Sequence, residues 1–245
     1  KVVVQLEGRD NSSGLAFVMH GLGGFKEQPH LEAMTQAFLE NDYMVVRFDT
    51  TNTFGESDGK YEDATVTSYY KDLEDIIEWS QKQDWYKEPF VLVGHSLGGG
   101  CVLLYGQKYP NRVKALAPIA TVVSGKLSIE SPRARSVLDE WKRTGWREEV
   151  SADGKRVKRL PWSHMEDRLK YNLLDGADKM MMPVLMIVGD QDGNTPAQHQ
   201  QMLFDKLPGD KELHILKDAP HTFKSDKDVA DVKDLFDKWI KNKLS

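Results

Sequence analysis

Short apolar runs alternate along the chain with stretches in which apolar residues recur every three or four positions. Most of the runs are strand-sized and continuous rather than alternating, which is typical of strands covered on both faces. They are Val2–Leu6, Leu15–Met19, Met44–Phe48, Phe90–Val93, Val113–Ala117, Val184–Val188 and Leu213–Leu216. Helical spacing appears between them, for example at Leu73, Ile76 and Ile77 and from Val229 to Trp239. The alternation predicts an α/β fold, a mostly parallel sheet with helices on both faces.

The connection between the first two apolar runs differs from the later ones. It is a polar turn from Glu7 to Gly14, which is too short to hold a crossover helix. Strands joined in this way run antiparallel. We therefore predict that the first two strands form an antiparallel pair at one edge of the sheet.

The alternation of strands and helices is interrupted from about Val122 to Gly176. This segment contains two helix-like stretches and a polar stretch between them: Arg133–Arg143, His164–Leu174 and Glu148–Leu160. Asp153-Gly154 lies between two valines of the polar stretch and favours a tight hairpin turn. Because the segment is small and polar, we predict a single domain over residues 1–245 with a cap insertion over about 122–176.

Composition argues against several classes of protein. Hydrophobic residues make up 40% of the 245 positions and charged residues 29%, as in soluble globular domains. The net charge of −5 argues against a nucleic-acid partner, because proteins that bind nucleic acids usually present a basic surface. No apolar run approaches the roughly 20 residues of a membrane-spanning helix. We predict a cytoplasmic protein with no membrane span, whose partner is a small molecule rather than a nucleic acid.

Metal and cofactor sites are not predicted. Cys101 is the one cysteine, so neither an internal disulfide nor a cysteine-based metal site can form. The histidines show no HExxH-type pairing. The turn His20–Gly24 is rich in glycine but lacks the GxGxxG spacing of a dinucleotide loop. We expect an activity that needs no metal and no cofactor.

The strongest chemical signal is Gly94-His95-Ser96-Leu97-Gly98, which directly follows a predicted strand and precedes a helical run. In that context a GxSxG sequence forms a nucleophile elbow, a tight turn that lifts the serine hydroxyl above the edge of the sheet. Side chains at Gly94 and Gly98 would collide with neighbouring backbone in such a turn. We predict Ser96 as the nucleophile.

A serine hydroxyl is a weak nucleophile until a base takes its proton, and His221 is best placed to do so. It follows the last predicted strand, and the carboxyl ends of parallel strands meet at one edge of the sheet. The other histidines are assigned to motif backbones, helices or a strand: His20, His95, His30, His164, His199 and His214.

The base needs an acid that holds its tautomer and stabilises its charged form. Asp190 and Asp192 both follow the strand Val184–Val188. Asp192 is preferred because it lies further into the loop and is free to turn toward His221, whereas Asp190 can stabilise the turn. Asp190 stays an alternative at this point.

The oxyanion that forms during acyl transfer needs two hydrogen-bond donors. We predict that the backbone N–H of Leu97, directly after the nucleophile, is one of them. The turn His20–Gly24 should supply the other through the backbone N–H of Leu22.

The chain resembles the α/β-hydrolases along its entire length, and in particular the small bacterial cinnamoyl (feruloyl) esterases and monoacylglycerol lipases. The segments that carry this resemblance are His20–Gly24, Arg47–Asp49, Gly55–Asp63, Gly94–Gly99, Gly189–Asp192 and His221. The resemblance implies Asp192 rather than Asp190 as the acid, and a cap that shapes the acyl pocket. Cinnamoyl esterases often have glutamine after the nucleophile, and Leu97 at that position argues against a feruloyl-type specificity.

These observations predict a serine carboxylic ester hydrolase for short-chain or aromatic acyl esters, with cinnamoyl and feruloyl esters among the candidates. The same catalytic residues also serve in thioesterases, monoacylglycerol lipases and peptidases. A binding protein with an idle triad is disfavoured because every catalytic position is filled. Three tryptophans of the insertion, Trp141, Trp146 and Trp162, are candidates for lining an apolar acyl site, and packing within the insertion is the alternative.

Overall fold

The structure, a computed structural model, describes residues 1–150 and 157–244 of the chain. Its strands are β1 (Val3–Glu7), β2 (Gly14–Met19), β3 (Tyr43–Asp49), β4 (Phe90–His95), β5 (Val113–Ile119), β6 (Trp146–Val150), β7 (Val157–Pro161), β8 (Val184–Gly189) and β9 (Lys211–Leu216). Its α-helices are α1 (Pro29–Glu40), α2 (Val66–Ser80), α3 (Leu97–Lys108), α4 (Gly125–Glu130), α5 (Pro132–Arg135), α6 (Leu138–Thr144), α7 (Trp162–Arg168), α8 (Ala197–Lys206) and α9 (Asp226–Lys243).

The predicted α/β fold is confirmed. In the described residues, seven strands form one sheet in the order β1-β3-β2-β4-β5-β8-β9. Every neighbouring pair of this sheet is parallel except β1 and β3. Within the same ranges, no helix combines the length and the apolar character that a bilayer crossing requires.

The predicted pairing of the first two strands is wrong. β1 is antiparallel and lies at the edge of the sheet, but its neighbour is β3, with Leu6 opposite Val46. Every residue of β3 is buried, whereas the residues of β1 are partly or fully exposed. β3 therefore takes the covered place beside β2, and β1, which tolerates solvent, occupies the edge.

Side chains of the central strands alternate between two helical layers. Leu15 and Phe17 of β2 belong to a cluster that includes buried residues of α2 and α3. Ala16 and Val18, the residues between and after them, pack on the other face with α1 and α9. This alternation is why the strand sequences are continuously apolar: both faces of the sheet are covered.

The order of the strands creates a crevice at the carboxyl end of β2. The chain passes from β2 to β3 on one side and then to β4 on the other, and ligands bind at such switch points in open α/β sheets. The turns that follow β2 and β4 meet there, since a Cβ atom on Gly21 would lie 2.9 Å from the Cβ atom of Ser96.

The segment between β5 and β8 holds the predicted hairpin, formed by β6 and β7 with Val150 opposite Val157. The turn predicted at Asp153-Gly154 lies outside the described residues. In the described part, a small apolar cluster of Trp141, Leu160 and Met165 joins the hairpin to the adjoining helices.

The two helix-like stretches of this segment are shorter than predicted. The first divides into α5 and α6, and the second ends at Arg168 as α7. Beyond α7 the backbone bonds to the segment after β5, where the N–H of Gly125 donates to Tyr171 O at 2.9 Å and the N–H of Leu173 donates to Val123 O at 2.9 Å. These bonds across the chain replace the helical bonds that the sequence pattern predicts.

Candidate active site

Ser96 stands at the turn between β4 and α3 in a strained backbone conformation. Its φ of +56° lies in the left-handed region, which costs a residue other than glycine roughly 1–3 kcal/mol. The N–H of Ser96 donates to Ile119 O at 2.9 Å, and its carbonyl accepts from the N–H of Val122 at 3.1 Å. Both bonds run to the end of β5 and the residues after it, so the neighbouring strand holds the serine in this conformation.

The glycines that flank Ser96 leave no room for a side chain. A Cβ atom on Gly94 would lie 2.3 Å from the carbonyl oxygen of Gly98, and one on Gly98 would lie 2.4 Å from that of His20. Both obstacles are backbone atoms, which cannot rotate away. The collisions expected from the sequence are therefore present, and they explain the glycines of the motif.

We expect Gly98→Ala to lower the free energy of unfolding by about 1–3 kcal/mol, the cost of overpacking a close-packed site. Gly193→Ala is the control, because its Cβ atom would meet nothing closer than 4.0 Å. Urea unfolding of both variants checks this. Equal losses in the two would mean that the approach of Gly98 to His20 does not constrain the fold.

His221 connects Ser96 to Asp192. Its Nε2 lies 2.9 Å from Oγ of Ser96, and its Nδ1 lies 2.7 Å from Oδ2 of Asp192. A carboxylate only accepts hydrogen bonds, so Nδ1 carries the ring hydrogen in the neutral imidazole and Nε2 is left to accept from the serine hydroxyl. This is the tautomer that a general base for Ser96 requires.

Asp192 is buried, and both of its carboxylate oxygens accept hydrogen bonds. Its Oδ1 accepts from the N–H groups of Asn194 at 2.8 Å and Thr195 at 2.9 Å. Burial raises the pKa of Asp192, but the hydrogen bond and charge of His221, together with Thr195, outweigh that effect and hold the pKa below its usual range. The carboxylate is therefore ionised at neutral pH.

Asp190, the alternative acid, is exposed and does not contact His221. Its Oδ1 accepts from the N–H of Asp218 at 2.8 Å and from the side chain of Gln191 at 3.1 Å. It joins the loop after β8 to the loop after β9. The structure thus places Asp192 against the imidazole and Asp190 in the turn.

The two predicted oxyanion donors lie on either side of Ser96. Leu97 is the first residue of α3, and the first N–H groups of a helix have no acceptor inside it. Leu22 lines the same cavity as Ser96, in the turn whose Gly21 approaches the serine. In this turn Gly23 donates its N–H to Tyr69 Oη at 3.2 Å and Gly24 donates to Gly21 O at 2.9 Å, and both bonds hold its shape.

The rings of His20 and His95 matter more than the sequence indicates. His20 Nε2 accepts from the N–H of Thr50 at 3.0 Å, and Nδ1 lies 2.7 Å from Gly21 O, so the ring joins the loop after β3 to the turn after β2. His95 Nε2 lies 2.8 Å from the carbonyl oxygen of His221 and holds the backbone of that residue. Both rings therefore connect loops of the site, in addition to the backbone roles predicted for these motifs.

Burial keeps this histidine cluster neutral. It lowers the pKa of His20, lowers that of His95 well below its usual value, and together with His221 and His20 lowers the pKa of His30 to about 3. The rings of His30 and His95 lie 4.4 Å apart between centroids, and those of His95 and His221 lie 4.9 Å apart. His221 therefore has neutral rings rather than cations beside it at neutral pH.

Thr195 is a site residue that the sequence pattern missed. Its Oγ1 lies 2.7 Å from Asp192 Oδ2, 2.8 Å from Ala120 O and 3.3 Å from His221 Nδ1. The signal in the sequence was a hydroxyl three residues after an acid in a loop, the spacing of a local side-chain turn.

A cavity of about 530 Å³ opens at Ser96. Its walls come from loops at the sheet edge and from the segment between β5 and β8; they include Leu22, Tyr61, Val122, Thr195, His221, Trp141, Arg147, Lys158, Met165 and Arg168. Of the three tryptophans, Trp141 lines this cavity, and the ring of Trp162 packs edge-on against the ring of Trp141. Trp146 is 36% exposed, and the guanidinium of Arg159 lies over its ring. Cys101 is buried in the core.

The chain belongs to the family described as serine aminopeptidase, S33, whose model matches residues 10–163. This family consists of α/β-hydrolases, and the structural neighbours are α/β-hydrolases as well. The protein is thus a serine hydrolase of the α/β-hydrolase class, as the sequence resemblance indicates.

Two curated relatives match most of the chain. An uncharacterized 31.7 kDa protein from the traX-finO intergenic region of Escherichia coli is 28% identical over 84% of this chain and 82% of its own length. The mouse palmitoyl-protein thioesterase ABHD10, described as mitochondrial, is 26% identical over 90% of this chain and 72% of its own.

Three solved structures share the fold. Est1E from Butyrivibrio proteoclasticus with bound ferulic acid has a TM-score of 0.79 at 22% identity, over 99% of this chain and 95% of that one. Mouse ABHD10 has a TM-score of 0.79 at 24%, over 100% and 95%. The monoacylglycerol lipase of Paleococcus ferrophilus has a TM-score of 0.73 at 22%, over 99% of each chain.

Proposed function

We propose that this protein hydrolyses carboxylic esters through an acyl-enzyme on Ser96, with His221 as general base and Asp192 as the acid that orients it. The observation that carries the proposal is the unbroken hydrogen-bonded chain from Ser96 through His221 to a buried, ionised Asp192, at the wall of a cavity. No metal or cofactor enters the proposed reaction. Among the described residues, no group of three or more possible metal ligands comes together.

The reaction follows from the positions of the atoms. Oγ of Ser96 attacks the ester carbonyl carbon while its proton passes to Nε2 of His221. The carbonyl oxygen becomes an oxyanion, to which the backbone N–H groups of Leu22 and Leu97 donate hydrogen bonds. As the carbonyl re-forms, the bond to the alcohol breaks and the alcohol leaves with the proton from Nε2. A water molecule, activated by the same nitrogen, then cleaves the acyl-enzyme and restores Ser96.

The cavity supports short-chain or aromatic acyl groups as substrates. Trp141 and Met165 give it apolar walls, and sites of this size enclose small ligands. The ferulic acid bound in Est1E makes aromatic esters worth testing, although Leu97 departs from the glutamine of cinnamoyl esterases. We propose that residues of about 122–176 act as the cap that selects the acyl group.

The relatives favour one alternative on the same residues, hydrolysis of a thioester, because one of them is named a palmitoyl-protein thioesterase. The solved monoacylglycerol lipase and the aminopeptidase family name suggest two further bonds to test. Rates on 4-nitrophenyl butyrate, butyryl-CoA, a monoacylglycerol, an aminoacyl anilide and methyl cinnamate would rank these activities. A kcat/KM for butyryl-CoA well above that for the oxygen ester would replace the proposal with the alternative.

An idle triad is tested by a fluorophosphonate probe, which labels only an activated serine. We expect labelling of the protein and none after Ser96→Ala. An unlabelled native protein would favour a binding role. The cytoplasmic location is a proposal that rests on composition. The mouse relative ABHD10 is described as mitochondrial.

We expect Trp141→Ala to shift acyl preference toward longer chains, because it removes a wall of the cavity at Ser96. Comparing kcat/KM on acetyl, butyryl and octanoyl esters, the octanoyl ester should gain several-fold over the acetyl ester, or about 1 kcal/mol of differential transition-state binding. Trp146→Ala is the control, since this ring lies outside that cavity. Parallel shifts in both variants would mean that selectivity lies elsewhere.

A further inference from the structure

Arg168, the last residue of α7, borders both the cavity at Ser96 and a small void beside Leu97. In the described part of the chain, its guanidinium has one hydrogen-bond partner, Nε2 of His164, which lies 2.8 Å from Nη2. Nε is buried and has no partner. An arginine with five donor hydrogens is thus left largely unbonded at the wall of the site.

His164 orients the guanidinium without neutralising it. Its Nδ1 lies 2.7 Å from Ala64 O and donates to it, which leaves Nε2 as the acceptor for Arg168. Burial and then the charge of Arg168 lower the pKa of His164 to about 3, so the imidazole is neutral at physiological pH. It provides a hydrogen bond but no negative charge.

Two carboxylates of this region, the adjacent Asp167 and Glu149 on the same cavity wall, are already occupied. Asp167 accepts from the N–H of Thr67 at 3.0 Å, from its hydroxyl at 2.6 Å and from Lys170 at 3.1 Å. Glu149 accepts from Arg133 and Arg147, each at 2.5 Å. Among the described residues, Arg168 therefore forms no ion pair.

The charge of Arg168 persists at neutral pH. Burial and then the proximity of Arg147 lower its pKa to about 10, which still leaves the side chain protonated. A partly desolvated cation without a counter-ion is costly, and native proteins usually pair it. The described wall of the cavity has five basic side chains but one carboxylate, Glu149, so an anionic group on the substrate would balance its charge.

We infer that Arg168 binds a carboxylate of the substrate, so that the esters this site prefers carry a negative charge in the acyl or the alcohol part. A guanidinium suits this task because its planar fork can hold both oxygens of a carboxylate. The inference rests on the ester hydrolase function proposed above and names the substrate class for that site.

The test compares esters that differ only in one charge. Mono-4-nitrophenyl adipate and 4-nitrophenyl hexanoate place a carboxylate or a methyl group at the end of the same acyl chain. 3-Acetoxybenzoate and its methyl ester share an acetyl group and differ in the alcohol part, which is charged in the first and neutral in the second. Native protein, Arg168→Gln, Arg168→Lys and Arg135→Gln are assayed, the last as a control for net charge because Arg135 is exposed and outside the cavity.

We expect native protein and Arg135→Gln to prefer one of the charged esters over its neutral partner by about 10- to 100-fold in kcat/KM, the range of a charge-assisted hydrogen bond. Arg168→Gln should lose that preference, mainly through a higher KM for the charged ester, so that kcat/KM falls much more on the charged ester than on the neutral one. Arg168→Lys should keep part of it. The pair that responds tells whether the acyl or the alcohol part carries the charge.

Equal losses on charged and neutral esters in Arg168→Gln would overturn the inference, as would a native protein that prefers neutral esters in both pairs. If no ester is hydrolysed, the proposed function fails, but the carboxylate site is still tested by calorimetry with adipate and 3-hydroxybenzoate. Binding of either that weakens at least tenfold in Arg168→Gln supports the site. Unchanged binding, or none to native protein, refutes it.

Discussion

Ser96→Ala should abolish ester hydrolysis while leaving the fold intact. The hydroxyl is the atom that forms the acyl-enzyme, and removing one member of such a triad lowers kcat by about 10³-fold or more. Stability should change little, because the backbone bonds that hold residue 96 run to Ile119 and Val122 and do not involve the side chain. Steady-state rates on 4-nitrophenyl butyrate and a thermal melt measure both effects.

A second serine controls for loss of a hydroxyl. Ser80 is buried in α2, and its Oγ has no hydrogen-bond partner in the described residues. Ser80→Ala should therefore keep the native rate. A Ser96→Ala protein that retains more than about a tenth of native kcat would remove Ser96 as the nucleophile.

Asp192→Asn should lower kcat by about 10³- to 10⁴-fold. Two backbone N–H groups donate to Oδ1, so the amide oxygen takes that position and the amide nitrogen faces Nδ1 of His221. The amide nitrogen donates to Nδ1 and so stabilises the imidazole tautomer that carries its hydrogen on Nε2. In that tautomer Nε2 of His221 can no longer accept the proton of Ser96. The loss should appear in kcat more than in KM.

The matched control is Asp190→Asn, two residues away on the same loop. Asp190 is exposed and contacts Asp218 and Gln191 rather than the imidazole. We expect its kcat to stay within about twofold of native, as for surface substitutions away from special features. Comparable losses in the two variants would show that the loop as a whole, rather than the Asp192 carboxylate, supports the base.

The sequence by itself determines the parts of this protein that depend on local geometry. The strands are continuous apolar runs because both faces of the sheet are covered, and this pattern is visible without coordinates. Gly94 and Gly98 mark the elbow because a tight turn around Ser96 excludes any Cβ atom. Once the sheet is parallel, His221 must lie at the same edge as Ser96.

Only the tertiary structure decides features that depend on which distant segments meet. The place of β1 beside β3 depends on the relative burial of three strands, which no single segment reveals. Asp190 and Asp192 have similar local sequence, and their contacts with Asp218 and His221 separate them.

The same holds for the cavity. Trp141 and Trp146 lie in one short segment, yet packing against Leu160 and Met165 buries the first, while the second stays exposed beside Arg159. That Arg168 forms no ion pair among the described residues is visible only when the partners of the neighbouring carboxylates are known. A sequence shows which groups a chain has, but contacts between distant residues decide which of those groups are already satisfied and which are left for a substrate.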